Sequence, residues 1–190
     1  SNGRDIIMLR EEEQHVRSYL EIQQVRYKDI LSYEIAIDPQ ISEYLIPKLT
    51  LQPLVENALY HGLKQKRGMG HIRVSGKEDG EDLLLLVEDD GAGMDAERLA
   101  ALRASLAVAE KNATTGLERS SGGLEMKSLR VGFGVATVHE RLQLLFGEQY
   151  GLQIDSNEGE GTCVQVRLPK CGKDAVLHVE NAAEPTKMNV

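Results

Sequence analysis

At 190 residues and 41% hydrophobic composition, the chain has material for one good core, so one globular domain with appendages is expected. A net charge of −8 argues against a general nucleic-acid binder, which would carry a basic stripe, and no apolar run approaches the roughly 20 residues that cross a bilayer, so the chain is expected to be soluble. A polyanion bound here would have to find positive potential locally, in backbone N–H groups, a few cations and a metal ion.

Ser1-Asn2-Gly3 reads as a cleavage scar ahead of a fragment of something longer. Over 4–31, Val16, Leu20 and Tyr27 recur at helix spacing, and the run Glu11-Glu-Glu13 suits the positive end of a helix dipole. Length and low bulk hydrophobicity suggest that this helix projects from the core or pairs with a partner helix. A strand over 31–38 ends at Asp38-Pro39, and a helix follows over 48–63, starting as late as Gln52 because Pro53 fits a first helical position. Segments 70–77 and 82–88 read as paired strands joined near Asp79-Gly80, the second so apolar that it belongs in the middle of a sheet. An Ala/Leu-rich helix spans 95–109, and the polar, glycine-bearing stretch 110–131 reads as a mobile loop. A helix over 135–146, with Val138, Leu142 and Leu145 on one face, leads to strands over 151–156 and 162–168. Three parts result: 1–31, a helical lead with its scar; 32–170, the domain; and 171–190, a loosely held tail. Hairpins and helices segregate, which predicts an α/β two-layer sandwich with a mixed sheet rather than a doubly wound parallel one. Cys163 and Cys171 lack metal or redox spacing and read as free thiols of a reducing cytosol.

Several segments could carry chemistry. Asp89-Asp-Gly-Ala-Gly93 closes the apolar strand, where Gly91 and Gly93 would let backbone approach a ligand and Asp89 could accept a hydrogen bond from an exocyclic amine. The same letters also make a common acidic turn. Gly132-Phe-Gly134 precedes a helix and could hold an anion, yet no Gly-Lys-Ser/Thr follows and no GxGxxG stands after a strand. Asn57 shares a helix face with His61, with Lys64 one turn on. Its amide oxygen could bind Mg²⁺, or the residue could be a solvated surface amide. Lys64, Lys66 and Arg67 form a local cationic cluster.

Taken with Gly159-Glu-Gly-Thr162, these segments resemble the GHKL superfamily, the Bergerat ATP-binding fold of histidine kinases, gyrase-type ATPases and related chaperones. Asn57 falls in its N box and the three glycine turns in its glycine boxes. More closely, the chain resembles YesM/LytS-type sensor histidine kinases over about 9–169. The supporting run is Glu12-Glu13, Val16, Tyr19-Leu-Glu-Ile-Gln23, Arg26-Tyr27, Ile46-Pro-Lys-Leu-Thr-Leu-Gln-Pro-Leu-Val-Glu-Asn-Ala58 and His61-Gly62. The resemblance implies binding of ATP with Mg²⁺ and transfer of the γ-phosphoryl group to a histidine on the dimerisation domain of the same kinase. The chain would then be the cytoplasmic catalytic domain of an inner-membrane-anchored bacterial sensor kinase. Its parent would be homodimeric and would serve a cognate response regulator in a two-component system. Asp89 would bind adenine and Asn57 the metal. Gly91, Gly93 and Thr162 would line the nucleotide, the backbone at Gly132 and Gly134 would hold phosphates, 110–131 would form a lid, and the cation facing phosphate would be His61, Lys64 or a lid residue. The helix of 1–31 would be the end of the dimerisation helix.

Some positions depart from the family pattern. Asp90 stands where Asn is frequent, Val135 where Leu is, and Tyr60 where many histidine kinases carry Lys. Pro53 occupies the position at which GHKL ATPases place a Glu base, four residues before the N-box Asn. A neutral imidazole already offers a lone pair, so this favours transfer to histidine over hydrolysis, with Glu56 as a secondary candidate base. No Pro-His-Phe-Leu-type acceptor segment occurs; His15 reads as a solvated helix residue, and His71 and His139 as strand and helix surface residues. The alternatives are a GHKL-type ATPase and a non-catalytic nucleotide-sensing module.

Overall fold

The structure is a computed structural model that describes residues 5–63, 68–115 and 130–172. A three-residue strand, β1 (Ile6–Met8), runs directly into helix α1 (Leu9–Arg26). Glu11 accepts the Met8 N–H at 2.8 Å and Arg26 stands in the last turn, so charges at both ends suit the helix dipole. Leu9, Val16 and Leu20 are fully buried in the domain core, whereas Ile22 and Val25 near the rear are 67% and 82% exposed. The helix expected to project thus docks on the core along Leu9, Val16 and Leu20, with Tyr19 and Tyr27 packed beside them, and exposes Ile22 and Val25 on its outer side.

β2 (Leu31–Ile37) leads through a short 3₁₀ turn, Pro39–Ile41, into β3 (Leu45–Pro47), which pairs antiparallel with β1. Neither β1 nor β3 was expected, because three residues are too few to show a period of two. Helix α2 (Gln52–Asn57) starts where Pro53 suits the first turn and continues as a wider π winding over Ala58–Leu63. Then come β4 (Gly70–Asp79), β5 (Asp82–Asp89), α3 (Ala96–Thr115), α4 (Arg130–Phe146), β6 (Gly151–Asn157) and β7 (Gly161–Pro169).

Two boundaries correct the sequence reading. α3 runs into the stretch expected as loop, and α4 begins ahead of Gly132, which places Gly132 and Gly134 inside its front turns rather than before it. Each glycine costs a helix about 1 kcal/mol. The buried stripe Val135, Val138 and Leu142 offsets that cost. Leu145, expected on that stripe, is 53% exposed, and His139 takes an inner position instead at 4% exposure. The expected lid centre, 116–129, and the tail beyond Gly172 lie outside the described residues.

The main sheet has the order β2-β4-β5-β7-β6, with β2 parallel to β4 and every other pair antiparallel. It is mixed, as predicted, and β5 is central. Ile72 and Val74, Leu83, Leu85 and Val87, Val164, Val166 and Leu168, and Leu152 and Ile154 make one continuous buried face under the helices. The opposite face carries Leu84 and Leu86 among charge pairs: Arg73 reaches Glu34 and Glu88 at 3.4 Å each, and Arg167 reaches Asp79 at 2.6 Å and Asp82 at 3.1 Å. The register puts Asp89 opposite both Ile72 and Thr162, in phase with Val87, so its side chain belongs to the helix-covered face.

Candidate functional site

The end of β5 builds one half of the site. The half-buried Asp89 accepts the Gly91 N–H through Oδ1 at 2.9 Å, an Asx turn that fixes the carboxylate. Asp90 points the other way and accepts the His71 N–H at 2.7 Å, tying the loop to β4. Gly93 has φ +65°, and a methyl on it would fall on the carbonyl oxygen of Asn157; Gly161 has φ +116°, and a methyl there would fall on the carbonyl oxygen of Asp89. The Asp89 loop and the β6–β7 turn therefore pass backbone against backbone, joined further by the Gly159 N–H on Ala92 O at 2.7 Å. Ser156 Oγ completes the joint, accepting from Met94 N–H at 2.9 Å and lying 2.8 Å from Thr162 Oγ1.

α2 and the front of α4 build the other half. Asn57, half-buried, is the last residue of α winding before the helix widens, and Pro53 lies one turn ahead on its face. A methyl on Gly134 would come 3.9 Å from Pro53 Cβ, so the front of α4 faces α2 directly. His61 follows in the π winding, its ring 5.0 Å from that of Tyr60. Burial, and then the Arg98 guanidinium, hold its pKa below the usual histidine range, which favours the neutral imidazole.

The front of α2 is held from two sides. The fully buried Glu12 of α1 accepts the N–H groups of Leu49 at 3.1 Å, Leu51 at 3.0 Å and Gln52 at 3.2 Å. Arg141 of α4 donates from Nη2 to Leu49 O at 2.7 Å. Leu49 sits at φ +60°, a left-handed conformation held by these flanking contacts.

Of the predicted site residues, Asp89, Gly91, Gly93 and Thr162 gather at the joint of β5 and β7, while Asn57, His61 and the backbone of Gly132 and Gly134 belong to the packed pair of helices. Lys64 lies outside the described residues. Glu56 is exposed, accepts from Gln52 Nε2 at 3.2 Å and lies near Tyr19 of α1, whose phenol burial and then Glu56 push up. His15 is exposed, as expected. His71 is half-buried with Nδ1 2.8 Å from Ser32 Oγ, and His139, expected at the surface, is instead buried with Nδ1 accepting the Leu152 N–H at 2.8 Å. Cys163 and Cys171 are free, and burial pushes both thiols up. Sequence reasoning missed Arg98, which nothing distinguishes from other helix arginines. It also missed the role of Glu12, which does carry a signal: it lies four and eight residues before Val16 and Leu20, a charge on the buried stripe.

Residues 46–171 match the family described as Histidine kinase-, DNA gyrase B-, and HSP90-like ATPase. The match covers more than half of the chain and includes Asn57, the Asp89 loop, Gly132, Gly134 and the β6–β7 turn, and the chain belongs to this ATP-binding family. It is 34% identical to the sensor histidine kinase YesM of Bacillus subtilis over 91% of its own length and 25% of the relative's. Against the sensor protein LytS of Bacillus anthracis the values are 30%, 87% and 25%. The chain thus spans about a quarter of the length of these curated relatives. The solved catalytic domain of histidine kinase ThkA superposes with a TM-score of 0.58 at 12% identity, over 87% of this chain and 95% of that one, so the fold is shared well beyond sequence likeness.

Proposed function

We propose that this chain is the ATP-binding catalytic part of a two-component sensor histidine kinase, presenting the γ-phosphoryl group of ATP to a histidine on the dimerisation domain of the same kinase. The observation that carries the reading is Asp89. Its carboxylate is fixed by the Gly91 N–H beside two backbones that interlock through Gly93 and Gly161, a rigid acceptor for the adenine amine. Thr162, directly across the ladder, lines the same corner.

Mg²⁺ fits the donor set. Among the described residues no group of three or more His, Cys, Asp or Glu gathers to hold a metal, so the ion would take one amide oxygen from Asn57 and the rest from phosphate and water. Bound there, it would neutralise charge on the phosphates. The N–H of Gly134 is taken by the helix ladder, and its missing side chain lets α4 approach Pro53 of α2. The N–H groups of the first turn of α4, up to that of Gly132, would bind phosphate oxygens. Lys64 and the neutral His61, donating one ring N–H, would add to them.

Pro53 gives no base to activate water, and we assign Glu56 no step, since it is engaged by Gln52 and lies near α1. Attack by a histidine nitrogen needs no such base, so positioning does most of the catalytic work. The acceptor would lie in the parent protein outside this chain, and a cognate response regulator would receive the phosphoryl group. We further propose a homodimeric, membrane-anchored parent with this domain in the cytoplasm. Among the described residues no helix is long and apolar enough to cross a membrane.

Labelled ATP given to the full cytoplasmic portion of the parent tests this reading. Acid-labile label should appear on protein, and Asn57→Ala should abolish it; steady phosphate release without labelling would replace the kinase reading with an ATPase one. Calorimetry on this chain should detect ATP, and an absence of binding would leave neither reading standing.

A further inference from the structure

We infer that Glu12 is a positioning residue for the metal-binding side of the site, acting on Asn57 through the turn 49–52. This rests on the assignment of Asn57 to Mg²⁺ in the reading above. A carboxylate with no exposed surface is costly unless its lone pairs are used, and Glu12 uses them on three N–H groups of a single turn. Those N–H groups belong to the entry of α2, and Asn57 is the last α-wound residue of that helix. Within six residues there is no joint to absorb a shift, so the entry sets the place of the exit.

A second contact supports the same reading. Arg141 Nη2 donates to Leu49 O, and Arg141 rides on α4, whose front carries Gly132 and Gly134. The turn is thus held between α1 and α4, and Leu49 keeps its φ of +60° in that grip. The left-handed Leu49, the buried carboxylate and the guanidinium form one clamp. Displacing α1 along its axis would move the Glu12 carboxylate against these N–H groups and would be felt at Asn57.

The test uses this chain and reads the ratio of the ATP Kd in EDTA to that in Mg²⁺. Glu12→Gln keeps the size of the side chain but turns an NH₂ toward one of the donors. Its ratio should fall by several-fold and by no more than the roughly tenfold that removing Asn57 itself would cost, the scale of losing a partner that orients a metal ligand. The Asn57 side-chain amide resonance should shift in the same variant, while adenosine affinity holds. Leu20→Ala, which loosens α1 without touching the turn, should melt earlier yet keep the wild-type ratio.

Should Glu12→Gln behave like Leu20→Ala, with a lower Tm but an unmoved ratio and an unmoved Asn57 resonance, Glu12 is structural and the inference is overturned. If Glu12→Gln does not fold, Arg141→Gln releases the turn from its other side. A reduced ratio there supports the clamp and an unchanged one refutes it. If Asn57→Ala itself leaves the ratio at the wild-type value, the metal assignment fails, and the Asn57 resonance alone then decides for or against Glu12.

Discussion

The two halves of the site are built from different material. At the end of β5, backbone meets backbone: the Asp89 loop and the β6–β7 turn fit only because Gly93 and Gly161 have no side chains. At α2 and α4, position comes from side chains reaching backbone, with Glu12 and Arg141 holding one turn between them. A backbone joint cannot be partly made, whereas a carboxylate with three donors can lose one and keep two. The half proposed for adenine should therefore respond to substitution by failing outright, and the half proposed for the metal by degrees.

Gly161→Ala is the hardest test of that contrast. Its methyl would meet the Asp89 carbonyl at φ +116°, so strain and overpacking add to roughly 3 kcal/mol or more of lost stability. Urea unfolding should show it, with ATP binding lost in step. Gly159, two residues earlier in the same turn, has φ +81° and open space around it. Gly159→Ala should therefore cost only about 1 kcal/mol, the penalty of the left-handed backbone alone. Equal costs at the two positions would break the backbone-joint account.

Substitutions that keep the backbone but change the chemistry come next in size. In Asp89→Asn the side-chain oxygen can still accept the Gly91 N–H, so stability should move by less than about 0.5 kcal/mol. The charged acceptor proposed for the adenine amine is gone, and ATP affinity should fall by about 10- to 100-fold in calorimetry. Full affinity in that variant would remove Asp89 from the site. Asn57→Ala should leave affinity in EDTA unchanged and forfeit roughly tenfold of the gain from Mg²⁺.

The Asp89 half of the proposed site was legible in the sequence, and part of the α2–α4 half was not. Period-two alternation and the apolar run 82–88 placed β4 and β5, and the end of that run marked Asp89. The sequence reading puts Gly132-Phe-Gly134 ahead of the helix, but a helix tolerates glycine when the stripe behind it is buried, so α4 starts earlier. Glu11, Glu12 and Glu13 were read together as dipole partners. Glu11 does accept the Met8 N–H, whereas Glu12 turns inward to a turn 37 to 40 residues away. Composition cannot separate adjacent glutamates, but their phase against Val16 and Leu20 can. The same phase argument recovers His139, which sits beside Val138 and three residues before Leu142 on the buried stripe.

The smallest predicted effect concerns His61 and sharpens the contrast from the side-chain half. Burial, then Arg98, lower its pKa below the ordinary 6.5, so the folded chain binds this proton less readily than the unfolded one. Where the unfolded state holds more protons, stability rises with pH. The contribution of His61 is thus fully present above 6.5 and is lost as pH falls through its lower folded value. Thermal melts between about pH 7 and 5 should show a steeper fall in Tm for wild type than for His61→Gln, whose side chain does not titrate. Saturating ATP should shrink the difference, because phosphate near His61 would favour the protonated ring and offset both burial and Arg98. If nucleotide leaves the two curves as far apart as before, His61 does not face phosphate, and the cation on that side must come from elsewhere.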